Sequence, residues 1–142
     1  MIEYYTGTTF VYSKSKDGAT NLTDNFKVRE FACKDGSDTV FINPMIPLIC
    51  QAVRNWFGKA FTPNSAYRTI THNKAQGGVA HSYHIQGRAV DIPTPAGSTP
   101  KELFNFLDKL CGESCEIGLY SWGVHVAITD GKKRFTDSSY KG

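Results

Sequence analysis

Three side chains in this 142-residue sequence have the types and spacing to do chemistry together: His84, Asp91 and His125. His84 follows a glycine-rich stretch, residues 77–83, and Gly87 closes its segment. Asp91 comes seven positions after His84, inside the apolar run Arg88-Ala89-Val90-Asp91-Ile92. In a strand, Arg88, Val90 and Ile92 would share one face and Ala89 and Asp91 the other. A carboxylate in a run that otherwise reads as buried needs a cation beside it, because an unpaired buried charge is too costly to keep. Val124-His125-Val126-Ala127-Ile128 repeats the pattern, with three branched residues on one face and His125 and Ala127 on the other. Side by side, two such strands bring Asp91 and His125 onto one side of a sheet, with Ala89 and Ala127 leaving room around them. Two imidazoles and one carboxylate can hold a zinc ion and leave a coordination position open, which distinguishes catalytic from closed structural sites. The residues alone leave a second reading open: a strand histidine packed and hydrogen-bonded in the ordinary way, and Asp91 paired with the nearby Arg88.

The elements that must position these residues are legible to different degrees. A first helix is expected from Asn43 as N-cap, with Pro44 in its first turn and Gly58 as its stop. Ile46, Ile49, Val53 and Phe57, joined by Leu48, Ala52 and Trp56, form its apolar face. A second helix opens with the capping box Thr99-Pro100-Lys101-Glu102, buries Leu103, Phe104, Leu107 and Leu110, and stops at Gly112. It falls between the two candidate site strands, so its packing would fix their register. Residues 61–67 read as a strand leading to Arg68 and a loop over 69–73. Residues 24–42 read as largely irregular, with a short apolar segment at 39–42, and residues 9–12 as a strand or a packed arm. Asp130-Gly131 reads as a hairpin turn.

Size and composition set bounds. The chain suffices for one domain with one ordinary core. With 40% hydrophobic and 13% aromatic residues it is globular rather than disordered. A net charge of +3 suits an anionic polymer but is too weak to argue for nucleic acid. No apolar run approaches membrane-spanning length, and the polar start at residues 1–5 is not a signal peptide. Without an export signal, Cys33, Cys50, Cys111 and Cys115 are expected as reduced, partly buried thiols. Cys111 and Cys115 make a poor metal pair, because no matching Cys/His pair follows at finger spacing.

Ser82-x-His84-x-x-Gly87-x-Ala89-x-Asp91 resembles the zinc-binding signature of the D-Ala-D-Ala carboxypeptidase family of metallopeptidases. The wider group includes vancomycin-resistance dipeptidases, phage L-alanyl-D-glutamate endolysins and the amino-terminal domain of hedgehog. Asn25-Phe26-x-x-x-Glu30-Phe31 is similar to the family's opening segment, and Ser65-Ala66-Tyr67-Arg68-x-x-x-x-Asn73 to its serine-glycine-tyrosine-arginine box. Ile117-Gly118-Leu119-Tyr120 followed by Val124-His125-Val126 resembles its last ligand strand. The similarity spans about residues 24–135. It implies an α+β fold, a small and mostly antiparallel sheet with packed helices, as in hedgehog and the D,D-peptidases. The implied organisation is an N-terminal arm over 1–23 and a zinc peptidase domain over 24–142, one domain overall.

The resemblance further implies that His84, Asp91 and His125 ligate Zn2+ and that Arg68 holds a substrate carboxylate or stabilises an oxyanion. The implied substrate is the stem peptides of bacterial peptidoglycan, cut as an endolysin-like endopeptidase or a D,D-carboxypeptidase. A phage or prophage lysis protein, made in the bacterial cytoplasm and acting at the wall after release or from a phage particle, fits this context. Hydrolysis also requires a group that moves the proton of the attacking water. Branches of the family carry an acid three residues before the last ligand, here Trp122, or two residues after it, here Ala127. Three explanations remain open at this level. His81, Glu116 or Asp130 serves instead; the domain is an inactive zinc-bearing wall-binding or virion module; or position 127 carries an inactivating Asp→Ala change.

Overall fold

The computed structural model describes residues 9–142; the polar start at residues 1–5 and the first part of the expected arm lie outside them. Two sheets form. The smaller pairs β1 (Phe10–Ser13) with β2 (Thr39–Ile42), antiparallel, so the strand expected at 9–12 forms one residue later, and the apolar segment at 39–42 is its partner. Between them lie the short α1 (Lys14–Asp17) and a 3-10 turn, Val28–Phe31, whose Val28 and Phe31 are buried.

The larger sheet has the order β3-β5-β4-β6, built from β3 (Ala89–Pro93), β4 (Cys115–Leu119), β5 (Gly123–Ile128) and β6 (Lys133–Thr136). β3 and β4 each run antiparallel to β5, while β6 lies parallel to β4. The architecture is therefore α+β with a mostly antiparallel sheet. The expected hairpin at Asp130-Gly131 is not one: the chain passes from β5 over β4 to its far edge, so β5 and β6 never pair. A turn dipeptide fixes a local reversal, but the open edge of β4 decides which strand is covered.

Alternation along the strands gives the sheet two faces. Val90, Ile92, Ile117, Leu119, Val124, Val126 and Ile128 are buried in the core with Leu103 and Leu107 of α4 (Pro100–Cys111) and Ile46, Ile49 and Val53 of α2 (Met45–Phe57). Thr99 caps α4 with the full capping box: its side chain accepts from the Glu102 backbone N–H, and the Glu102 carboxylate accepts from the Thr99 N–H. For α2 the Asn43 side chain accepts from the Met45 N–H at 3.0 Å, and Gly58 ends the helix at a φ of 68°, a left-handed conformation that glycine adopts without strain.

The apolar faces are narrower than the sequence suggests. Leu48, Trp56 and Leu110 are exposed, and Trp56 stacks instead on Phe106 at a ring separation of 5.5 Å. The four cysteines are free and buried.

Residues 61–67 do not form the expected strand. Pro63 has no N–H to give to a ladder, and the contact with β3 shrinks to one bridge, in which Asn64 donates to the Asp91 carbonyl and Asp91 donates to the Ser65 carbonyl. The expected loop at 69–73 is instead the start of α3 (Ile70–Ala75), with Thr69 as N-cap accepting from the His72 N–H. That N-cap signal was present in the sequence but is short and lacks an apolar repeat.

Candidate metal centre

Backbone hydrogen bonding sets the register of the second sheet face. Asp91 of β3 stands opposite His125 of β5, which stands opposite Gly118 of β4, which stands opposite Phe135 of β6. The next row is Ala89, Ala127, Glu116 and Lys133. Strand pairing thus places the aspartate beside the second histidine, although the two are 34 positions apart in the chain.

His84 reaches this row from the 3-10 turn Tyr83–Gln86, capped by Ser82, whose hydroxyl accepts from the His84 N–H. Gly87, at a φ of 70°, turns the chain from there into β3; a side chain at this position would also run into the Phe41 carbonyl. The His84 ring is buried, and its Nδ1 lies 2.6 Å from the Ala66 carbonyl. A carbonyl only accepts, so Nδ1 carries a proton, and Nε2 is the nitrogen left for a metal ion or a second proton. Nε2 faces Asp91 Oδ1 at 3.3 Å. Asp91 Oδ1 also lies 2.9 Å from His125 Nδ1. One donor atom from each of the three residues lies within 4.8 Å of the other two.

A ring nitrogen and a carboxylate oxygen facing each other under cover share either a proton or a metal ion. The donor set, two nitrogens and one oxygen with a hydrogen-bonded imidazole behind, has the chemistry of a zinc site with a free position. Without an ion, protons hold the cluster together. Burial works against the charge on His125, but hydrogen bonds to Asp91 and Glu116 outweigh it and raise its pKa to about 9. Burial likewise opposes ionisation of Asp91, and hydrogen bonds from His125 and His84 reverse this and hold its carboxyl well below the usual carboxylate range.

The cluster lies at the floor of an open cavity of about 590 Å³. Arg68 enters it from the segment before α3. Its Nε donates to the Ser65 hydroxyl at 2.9 Å, Nη1 donates to Asn73 Oδ1 at 3.3 Å, and Nη2 lies 3.6 Å from Asp91 Oδ2. Asn73, whose own amide donates to the Val79 carbonyl, is buried and holds the arginine in place. Arg88, the alternative partner for Asp91, instead lies over the Tyr83 ring. An aromatic wall of Tyr120, Trp122 and Phe135 flanks the histidines, with Tyr120 stacked on Trp122 at 4.8 Å. Sequence reasoning missed this wall; its signal was the clustering of aromatic residues around the His125 strand.

The candidates for the missing acid separate in space. Trp122 lines the cavity but has nothing to ionise. Ala127 is fully buried between Ala89 and Glu116. His81 is exposed on the cavity rim. Asp130 is exposed at the turn after β5 and is not among the cavity residues. Glu116 lines the cavity, and its Oε1 lies 3.0 Å from His125 Nε2.

Cys33, Asp35 and His72 form a second convergent group. There the Asp35 carboxylate is taken up by its own turn: hydrogen bonds from Ser37 first, then from Thr69, hold it below the usual range. The Cys33 sulfur accepts from the Thr69 N–H at 3.5 Å. These partners account for the group as a turn anchored to α3.

The protein is a small α+β domain, with α2 and α4 packed on one face of its mostly antiparallel sheet and a side-chain group that could hold a metal ion on the other. A family model described as Peptidase M15 matches residues 24–127, more than two thirds of the chain, and the chain belongs to that peptidase family. No curated protein matches the sequence.

Proposed function

We propose that this chain is a zinc-dependent peptidase that cleaves the stem peptides of bacterial peptidoglycan, with His84, Asp91 and His125 as the metal ligands. The convergence of their donor atoms within 4.8 Å, at the floor of a cavity that Arg68 also lines, carries the reading. Zinc held there would supply Lewis acidity, polarising a peptide carbonyl and making a water acidic enough to attack near neutral pH. Ala66 fixes the tautomer of His84, so its Nε2 is available as a ligand without rearrangement. Arg68, held by Ser65 and Asn73, presents a fixed guanidinium to a substrate carboxylate or a developing oxyanion. Stem peptides are rich in carboxylates, which fits this cation and the modest positive charge of the chain. The wall of Tyr120, Trp122 and Phe135 offers an apolar flank for the peptide. His81, exposed and lining the same cavity, is an imidazole that can pass a proton to the leaving amine.

A second reading, a zinc-bearing module that binds the wall without cutting it, draws on one observation: Ala127 brings no carboxylate to the place where the family resemblance expects one. Zinc content of untagged protein, together with mass spectrometry of fragments released from purified sacculi, tests both. Stoichiometric zinc with new amino termini in the stem peptides supports the peptidase. Zinc with sacculus binding but no release supports the module, and absence of zinc removes both.

A further inference from the structure

Glu116 is the cross-strand partner of Ala127, and its carboxylate reaches diagonally to the row of the proposed ligands. The His125 ring is held between two carboxylates, Asp91 at Nδ1 (2.9 Å) and Glu116 at Nε2 (3.0 Å). Only Nδ1 faces the cluster that His84 joins, so Nε2 is the nitrogen directed away from the ion site. An imidazole that gives one nitrogen to a metal keeps its proton on the other, and the acceptor at that second nitrogen fixes both tautomer and ring orientation. We infer that Glu116 is a positioning residue for the metal centre: it accepts the Nε2–H of His125, frees the Nδ1 lone pair for the ion, and supplies from β4 a carboxylate that β5 lacks at position 127. Lys133, exposed on β6, stands opposite Glu116 and lies 3.6 Å from its Oε2, which orients the outer oxygen and leaves Oε1 for the histidine. The role deepens the peptidase reading and rests on the same three ligands.

The test measures zinc affinity by competition with a chromophoric chelator in the native chain and in Glu116→Ala, Glu116→Gln and Lys133→Ala. Long-range proton–nitrogen NMR of the zinc-loaded protein reports which His125 nitrogen carries hydrogen. The expected native spectrum shows a protonated Nε2 and a metallated Nδ1. Loss of an outer-sphere carboxylate lowers zinc affinity about 10- to 100-fold, which is the expectation for Glu116→Ala. Glu116→Gln, nearly isosteric and still an acceptor through its amide oxygen, falls between, and Lys133→Ala stays near native. Glutamine also answers the question should alanine disturb the fold. Unchanged affinity and an unchanged His125 tautomer in both Glu116 variants overturn the inference and leave the peptidase reading standing. Weakened zinc with no release of stem peptides by the native chain supports the inference and defeats the peptidase reading. A native chain that takes up no zinc overturns both.

Discussion

Replacing Asp91 by asparagine removes the charge at the centre of the cluster while keeping the size and one acceptor oxygen. Asp91 Oδ1 lies within hydrogen-bond reach of His125 and 3.3 Å from His84, and Oδ2 lies 3.6 Å from Arg68, so one change touches every proposed interaction of the ion. Zinc that binds the folded chain and not the unfolded one stabilises by about 2.7 kcal/mol at a free concentration a hundred times its Kd. With an unfolding entropy of roughly 2.1 cal/mol/K per residue over 142 residues, the slope is about 0.3 kcal/mol per degree. The native melting temperature should therefore rise by about 9 °C at that zinc concentration.

The asparagine of the Asp91→Asn variant would offer a neutral, weaker ligand, and the rise should shrink to a small fraction of the native one at the same zinc level. Differential scanning calorimetry with and without zinc, on protein without a polyhistidine tag, reads both values. The measurement also separates a metal effect from a packing effect, because metal-free native and Asp91→Asn protein are compared first and the zinc increment is taken on each. An equal rise in the two proteins would place the zinc elsewhere, with the Cys33, Asp35 and His72 group as the site to examine next. No rise in the native chain would refute the metal centre itself.

Arg68→Lys keeps the charge but loses the fork held by Ser65 and Asn73; steady-state cleavage of defined stem peptides should show kcat/KM falling by about 10- to 100-fold, the worth of one or two charged hydrogen bonds, with little change in melting temperature. Gly118→Ala would drive a methyl group into the Phe135 ring that lies across it, and urea denaturation should show a loss of about 1–3 kcal/mol from overpacking. Asp108 is held below its ordinary range, first by the hydrogen bond from Arg134 at 2.6 Å. Its contribution is present above the unfolded carboxylate pKa and is lost as pH falls through the lower folded value. Acid titration followed by circular dichroism should therefore show Asp108→Asn losing less stability than the native chain between neutral and acid pH, by a small amount since the pair is partly exposed.

The pairing of Asp91 with His125 was legible in the sequence because it depends on period-two alternation; His84, on a 3-10 turn outside the sheet, carries no such periodic signal. Asp91 sits among branched and small residues, as does His125, and each strand declares its buried face by its own composition. Once the two strands pair antiparallel with the site face shared, the aspartate and histidine must come close. The two long helices, α2 and α4, were legible through local chemistry: the Thr99 box of α4 and the glycines Gly58 and Gly112 that close them. What failed was non-local. Whether residues 61–67 form a strand depends on how much of β3 is free to receive them, and Pro63 leaves only one bridge. Whether Trp56 is covered depends on what packs beyond α2, and it stays largely exposed with its ring stacked on Phe106.

Glu116 shows the same limit from the side of function. In sequence it is a charged residue nine positions before His125, with no spacing that marks it. Its proximity follows from two registers multiplied together: β4 opposite β5, which sets Glu116 against Ala127, and the covering of the outer edge of β4 by β6, which sets Lys133 against Glu116. A slip of one residue in the first register would turn Glu116 into the core and bring Ile117 to the histidine. Buried Cys115, Ile117 and Leu119 resist that slip, since each would have to leave the core at once. The apolar side of β4 thus fixes where its single carboxylate points. An acid sought by position along β5 is missing, while the small Ala127 leaves space for Glu116 of the adjacent β4 to reach the same imidazole.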